Sequence, residues 1–270
     1  MSLRATILGC GSSGGVPRLG AMWGACDPQN PRNRRRRCGL LVERLGQGRR
    51  HTTVLVDTSP DLREQLLGVR AEALDGVLYT HDHADHTHGI DDLRMLAYAM
   101  KRRIDVWADA GTLASLEGRF NYCFSTPPGS GYAPILSAHA LNPPQPVRVE
   151  GPTGSIEVIP VPQMHGEMGS LGFRFGGLAY SPDISDVPDG TAALLQDLDV
   201  WIVDALRFTP HPSHFSVKQA LAWIERLKPK RAILTHMTTD LDYESLRLEL
   251  PEGVEPAYDS MVIELSLIHI

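Results

Sequence analysis

The sequence has no run of 18 consecutive apolar residues, so no transmembrane helix is expected. It has only four cysteines, Cys10, Cys26, Cys38 and Cys123, and no CxxC pair. That is too few for a disulfide framework, and reduced thiols in a cytoplasm are the expectation. The start, Met1-Ser2-Leu3-Arg4-Ala5-Thr6-Ile7-Leu8, lacks the long apolar stretch and cleavage site of a signal peptide. Positive charge is not in excess: Lys plus Arg is 26, Asp plus Glu is 32, and the net charge is −6. A strongly basic nucleic-acid coat is therefore excluded, leaving room only for a local patch. No internal repeat is found, and no linker long enough to divide the chain. With 42% hydrophobic and 21% charged residues, the 270-residue chain reads as one folded domain, 1–270.

What is present begins with short β-type runs. Thr6-Ile7-Leu8, Leu40-Leu41-Val42-Glu43, Thr52-Thr53-Val54-Leu55-Val56-Asp57 and Gly76-Val77-Leu78-Tyr79-Thr80 come in close succession. Later strands, such as Val200-Trp201-Ile202-Val203-Asp204 and Arg231-Ala232-Ile233-Leu234-Thr235, alternate with helical stretches. Val217, Ala220, Leu221, Ile224 and Leu227 keep a helical period. The mixture predicts an α/β (α+β) arrangement of packed sheets with helices outside. Residues 125–155 are rich in Pro and Gly and read as a surface excursion.

Gly9-Cys10-Gly11-Ser12-Ser13-Gly14 fits G-x-G-x-x-G after a strand. A dinucleotide site needs a helix to start there, and Gly15-Val16-Pro17-Arg18-Leu19-Gly20 continues as loop. The glycines instead predict a tight turn where backbone approaches another segment.

The chain holds 11 histidines, and four potential ligands, His81, His83, Asp85 and His86, fall within six residues after a strand. Imidazole and carboxylate together suit zinc, manganese or iron. So many desolvated imidazoles need a compensating ion. Alternation at 81 and 83 aims two rings one way, while Asp85 and His86 can serve a second ion. His165, Asp183 and His236 also stand at strand ends, each weak alone, and add to the set.

Thr80-His81-Asp82-His83-Ala84-Asp85-His86 resembles the HxHxDH signature of the metallo-β-lactamase superfamily. The resemblance extends over nearly the whole chain, with Asp57, His165, Asp183 and His236 at the other motif positions. It implies a four-layer αβ/βα sandwich with the site at one edge. It also implies that His81, His83 and His165 hold one metal, that Asp85, His86 and His236 hold another, and that Asp183 bridges them. The cofactors are then two divalent ions, zinc or manganese, and Asp57 orients a ligand from outside the ligand set. Phosphodiesterase branches of the superfamily carry a further histidine before the last metal ligand. His214 matches it, 22 positions before His236, and is read with Asp85 as catalytic, His214 as general acid.

Leu8-Gly9-Cys10-Gly11-Ser12-Ser13-Gly14-Gly15-Val16-Pro17, Cys26-Asp27-Pro28 and Arg34-Arg35-Arg36-Arg37-Cys38 are similar to PhnP-type phosphoribosyl 1,2-cyclic phosphate phosphodiesterases. The implied reaction opens a small cyclic phosphate by attack of metal-bound hydroxide. Some PhnP-type proteins hold a structural zinc on a C-x-C-x-x-C cluster; here only Cys26 of it remains. Arg32, Arg34, Arg35, Arg36 and Arg37 read either as a phosphate grip or as a solvated basic loop. Arg94 and Arg207 are the candidate contacts to a substrate phosphate. The expected partner is a small phosphorylated substrate; membrane and nucleic acid are not expected, and a homodimer is left open. Two alternatives stand beside this reading: tRNA 3′ processing of the tRNase Z kind, and a PqqB-like accessory or binding protein.

Overall fold

Val54, Leu55 and Val56 are all buried, and they serve two different cores. Side chains alternate across a strand, so Val54 and Val56 enter one apolar cluster and Leu55 the other. A computed structural model describes residues 2–48 and 50–266. Residues 267–270 lie outside the described residues.

The strands are β1 (Ser2–Gly9), β2 (Gly39–Leu45), β3 (Thr52–Val56), β4 (Gly76–Leu78), β5 (Ile104–Ala108), β6 (Leu136–Ala140) and β7 (Val147–Val149). They continue as β8 (Ile156–His165), β9 (Met168–Phe175), β10 (Leu178–Ser181), β11 (Val200–Asp204), β12 (Arg231–Thr235), β13 (Val254–Pro256) and β14 (Met261–Ser266). One sheet has the order β14-β1-β2-β3-β4-β5-β6, the other β13-β12-β11-β10-β9-β8-β7. Each sheet is antiparallel at one end and parallel at the other, the parallel pairs running β3-β4-β5-β6 and β10-β11-β12-β13. The inner parallel strands β3, β4, β10, β11 and β12 read as nearly continuous buried runs because both faces are covered. Edge strand β14 instead alternates, with Met261, Ile263 and Leu265 buried and Val262 half exposed at 51%.

The helices are α1 (Leu62–Gly68), α2 (Ala84–Thr87), α3 (Leu93–Met100), α4 (Ala110–Arg119), α5 (Asn121–Phe124), α6 (Val217–Leu227) and α7 (Tyr243–Glu249). Leu62, Leu93, Ala97 and Leu116 of α1, α3 and α4 pack on Leu55, Val77 and Val106 of the first sheet. Val217, Ala220 and Leu227 of α6 join the cluster of Trp201, Ile233, Phe173 and Tyr180. This is the αβ/βα sandwich the sequence predicts. Each fully buried aliphatic side chain adds about 1.5–3 kcal/mol. Helix α6 opens on a capping box, Ser216 and Gln219 satisfying each other's backbone N–H groups.

Two expectations change in detail. The stretch 125–155 is not all surface excursion: it contributes β6, paired with β5, and β7, paired with β8. Polar Ser137 and His139 hide the strand character of β6 in the sequence, and its place at the sheet edge tolerates them. The arginine-rich segment is not a free basic loop: four of its five arginines are engaged within the chain. Arg36 pairs with Asp259 at 2.9 Å and Arg37 with Asp61 at 3.2 Å, while Arg32 lies between the rings of Tyr243 and Tyr258. Arg35 is buried, donating to the Thr238 carbonyl at 3.2 Å and to Asn33 Oδ1 at 3.3 Å. Its guanidinium also lies 3.8 Å from Cys26 Sγ, so a fixed cation sits where the lone cysteine remains.

The glycine turn does bring backbones together. A Cβ on Gly9 would stand 2.1 Å from the Arg37 carbonyl oxygen, and no helix starts there. Gly11 bridges both Arg37 and Met237, which ties the turn to the segment after His236.

Candidate metal centre

The carboxyl ends of the parallel strands converge on one edge of the sandwich, the usual place for a site in such sheets. Asp57 follows β3, the 81–86 segment follows β4, Asp183 follows β10, Asp204 closes β11 and His236 follows β12. His165 closes β8 at the turn into β9. Two of these residues, Asp57 and His236, hold left-handed backbone angles, φ 64° and 57°. Such angles cost energy for a side chain bearing a Cβ and gather at functional sites.

Asp57 organises the first cluster. Its Oδ1 accepts the Thr80 N–H at 2.9 Å, and its Oδ2 accepts the Thr80 hydroxyl at 2.9 Å and His86 Nδ1 at 2.7 Å. Since the Thr80 proton is given to Asp57, the Thr80 oxygen accepts from His81 Nδ1, 2.9 Å away. His165 Nδ1 donates to the Ser213 carbonyl at 2.6 Å. These assignments follow from the network, and they leave the Nε2 lone pairs of His81, His86 and His165 facing inward.

Those lone pairs meet. His83 Nδ1 lies 2.9 Å from His81 Nε2 and 3.3 Å from His165 Nε2. Four ligands at the usual zinc–nitrogen length, about 2.0–2.1 Å, stand roughly 3.3 Å apart around a tetrahedron. A second group joins His86, Asp85 and His236. His86 Nε2 is 3.3 Å from Asp85 Oδ2, and His236 Nε2 is 3.8 Å from the same oxygen. Asp183 faces both groups: Oδ2 is 3.0 Å from His86 Nε2, while Oδ1 is 3.4 Å from His236 Nε2 and 3.9 Å from His165 Nε2. His86 Nε2, His236 Nε2 and Asp183 Oδ2 are buried with no hydrogen-bond partner. Buried polar atoms without partners are costly, and here they aim at shared points. Donor type, spacing and orphaned atoms therefore fit divalent metal ions.

Electrostatics divides the two groups. Burial, reinforced by the charge on His86, pushes His81 well below the ordinary imidazole range, and burial takes His165 down to about 4. Both are thus kept neutral, the ligating form. At His86 and His236 burial opposes the charge, but Asp183 and its neighbouring carboxylates outweigh it, raising His236 to about 9. The second group is a pocket of negative charge that calls for a cation.

His214 stands beside this assembly. Its ring stacks on His236 with centroids 4.6 Å apart and meets His165 edge-on at 4.6 Å. Its Nδ1 lies 2.7 Å from Asp204 Oδ2. Backbone bonds fix the segment: Phe215 N–H donates to the Ile184 carbonyl and Leu206 N–H to the Phe215 carbonyl. Burial takes His214 down to about 4, with His236 adding to the effect. Burial raises Asp204 as well. A cleft of about 280 Å³ opens over His214 and His236, walled by Ser12, Ser13, Gly14, Arg18, Arg207 and Thr238 among others.

All seven proposed ligands, with Asp57 and His214, come together. Arg207 reaches the cleft rim. Arg94 does not line the cleft: it pairs with Asp91 and lies over the ring of Tyr122. Asp204 was missing from the sequence reading. Like Asp57 it is a carboxylate closing an apolar parallel strand, and that shared position was the available signal.

Comparison with known proteins agrees with this geometry. Residues 52–237 match the family described as beta-lactamase superfamily domain. A crystallographic diphosphatase from the PhnP family is 34% identical with TM-score 0.87, covering 99% of this chain and 99% of that chain. An octanoyltransferase from Porphyromonas gingivalis (strain ATCC BAA-308 / W83) is 31% identical over 261 residues, 96% of this chain and 51% of that protein. The chain thus spans about half the length of the curated relative it matches. The Zn(2+)-bound PqqB from Methylobacterium extorquens shares the fold, at TM-score 0.72 and 18% identity, over 96% of this chain and 99% of that one. The chain belongs to the metallo-β-lactamase superfamily and, within it, to the PhnP family.

Proposed function

We propose that this chain is a phosphodiesterase that opens a small cyclic phosphate, 5-phosphoribosyl 1,2-cyclic phosphate. His81, His83 and His165 would hold one divalent ion and Asp85, His86 and His236 a second, with Asp183 facing both groups. Zinc or manganese, when bound there, would supply Lewis-acid chemistry to a water and to the phosphoryl oxygens. Asp57 holds the His86 ring, and the Ser213 carbonyl holds the His165 ring, so neither turns away from the centre. Asp85 is kept ionised: burial opposes this, but His86 and His236 beside it prevail.

The observation that carries the reading is the Asp204–His214 pair. A sugar alkoxide is a poor leaving group and needs a proton as its bond to phosphorus breaks. Burial favours the neutral ring, so the imidazolium forms only with the support of Asp204 at Nδ1 and an anionic phosphorus ester alongside, and Nε2 then gives its proton to the leaving oxygen.

A second reading, hydrolysis of a diphosphate, is favoured by the 34% identical diphosphatase. Its leaving group is a phosphate, which departs without a donated proton. Turnover of four substrates by metal-loaded protein separates the readings: the cyclic ribose phosphate, an aryl phosphodiester, a diphosphate ester and a precursor tRNA. The proposal expects the cyclic ribose phosphate to give the highest kcat/KM. Preference for the diphosphate ester would move the chain to anhydride chemistry, preference for tRNA to RNA processing, and inactivity on all four would leave it a binding protein.

A further inference from the structure

Asp183 faces both groups of ligands, yet nothing neutral holds its side chain. Its Oδ2 is buried without a hydrogen-bond partner, and no backbone amide or hydroxyl donates to either oxygen among the described residues. Asp57 and Asp204 differ: Asp57 accepts from Thr80, and Asp204 accepts the Ile184 N–H at 3.2 Å. The aim of Asp183 therefore comes from its backbone.

That backbone is clamped at and on both sides of Asp183. Ser181 closes β10 two residues before it, and its Oγ accepts from Gln163 Nε2 at 3.0 Å and from Trp201 Nε1 at 3.1 Å. All three side chains are buried. At Asp183 itself the carbonyl accepts the Ser170 hydroxyl at 2.7 Å. Two residues beyond, Ser185 N–H donates to the Met164 carbonyl at 2.7 Å, and Ser185 Oγ accepts the Gly166 N–H at 2.9 Å. Asp183 is thus tied to the chain on either side of His165, and to β11 three residues before Asp204. Gln163 reaches Ser181 by crossing β9 at Gly172, where a Cβ would stand 1.9 Å from Gln163 Nε2. Gly172 holds no left-handed angle, so room for the amide, not backbone freedom, requires glycine there. Gln163 Oε1 finds no partner, and a buried amide left half satisfied adds less stability than an apolar side chain of its size. What the Gln163–Ser181–Trp201 contact supplies is geometry, a lock across β8, β10 and β11 just before His165, Asp183 and Asp204.

We propose that Ser170 and Ser181, the latter gripped by Gln163 and Trp201, are positioning residues that hold Asp183 within reach of both metal groups and so couple the two ions. The inference rests on the two-ion reading above and not on which ester is cut. Removing either hydroxyl lets the Asp183 carboxylate turn toward one group and away from the other. The second group has more to lose. Asp183 stands 3.0 Å from His86 Nε2 and 3.4 Å from His236 Nε2, against 3.9 Å from His165 Nε2.

The test is a manganese titration followed by electron paramagnetic resonance, which counts bound ions and shows whether two of them are magnetically coupled. It is run on wild type, Ser170→Ala, Ser181→Ala, Ser170→Thr and Val158→Ala. Val158 is buried near the start of β8, away from the clamps, so its truncation leaves a cavity in the same core. In both alanine variants at the serines the tighter ion should stay within about three-fold of wild type and the weaker one should lose about 10–100-fold in affinity. The coupled signal at saturation should shrink with it. Ser170→Thr keeps the hydroxyl and should recover most of the coupling, while Val158→Ala should melt earlier with wild-type affinities and coupling. Wild-type affinities and coupling in both serine-to-alanine variants would overturn the proposal, leaving the two hydroxyls as fold contacts. Equal weakening of both ions would overturn it too, as a general loosening of the centre. Uptake of a single ion by wild type would instead reject the two-ion reading itself, a result seen before any variant is compared.

Discussion

Asp204 and His214 are ten residues apart in sequence and 2.7 Å apart in space, carboxylate to imidazole. The contact is buried and forms because β11 ends at Asp204 while the next segment is pinned by Phe215 to Ile184 and Leu206. Asp204→Asn is expected to lower kcat on an alkyl phosphodiester by about 10²–10⁴-fold, with KM little changed. Steady-state kinetics with metal analysis checks this. Unaltered metal content alongside the kcat loss marks Asp204 as a positioning residue rather than a ligand.

Asp57 makes three hydrogen bonds to Thr80 and His86. Asp57→Asn replaces an acceptor oxygen with a donor and disturbs the His86 ring. Metal affinity should fall about 10–100-fold, measured by competition with a chromogenic chelator. Wild-type affinity in the variant would show that His86 is oriented by its own packing.

Removing metal should lower thermal stability. Orphaned buried atoms at His86, His236 and Asp183 gain partners only from a cation. Metal at about a thousand times its dissociation constant adds roughly 4 kcal/mol. Melting curves with chelator, then with zinc or manganese restored, should show a drop and a recovery. Elemental analysis of the restored protein should give two ions per chain.

Much of this centre was legible in the sequence because metal sites concentrate rare residues. The 81–86 segment is dense in ligands, and His165, Asp183 and His236 stand at apolar strand ends. Parallel strands such as β4, β11 and β12 were legible for a different reason, being apolar without alternation. Strands β6 and β13 lie at sheet edges, where local pattern says little. Asp204 was hidden because its partner is set by tertiary contacts. The roles of Arg32, Arg35 and Arg36 were hidden likewise, since Tyr243, Thr238 and Asp259 are more than 200 residues away.

Asp242 ties the N-terminal loop to α7. It accepts from Ser245 N–H at 3.0 Å, Asp27 N–H at 3.1 Å and Asn33 Nδ2 at 2.6 Å. Burial works to raise its carboxyl, but these donors lower it to about 2. The folded value is below the unfolded one, so its contribution is complete above about pH 4 and is lost as pH falls through about 2. Asp242→Ala should cost about 1 kcal/mol near neutral pH, the usual loss of a helix cap. Chemical denaturation of both proteins should show the gap closing between pH 4 and pH 2.

The account turns on His214 giving a proton to the leaving oxygen. The direct measurement compares His214→Ala with wild type, both metal-loaded, on phosphodiesters that differ only in leaving group. Loss of about 10²–10⁴-fold is predicted for an alkyl or ribosyl leaving group, and little loss for a nitrophenyl group, which departs unaided. An equal loss on both, with two metals still bound, would contradict the proton-donor role and make His214 a structural support of the metal centre.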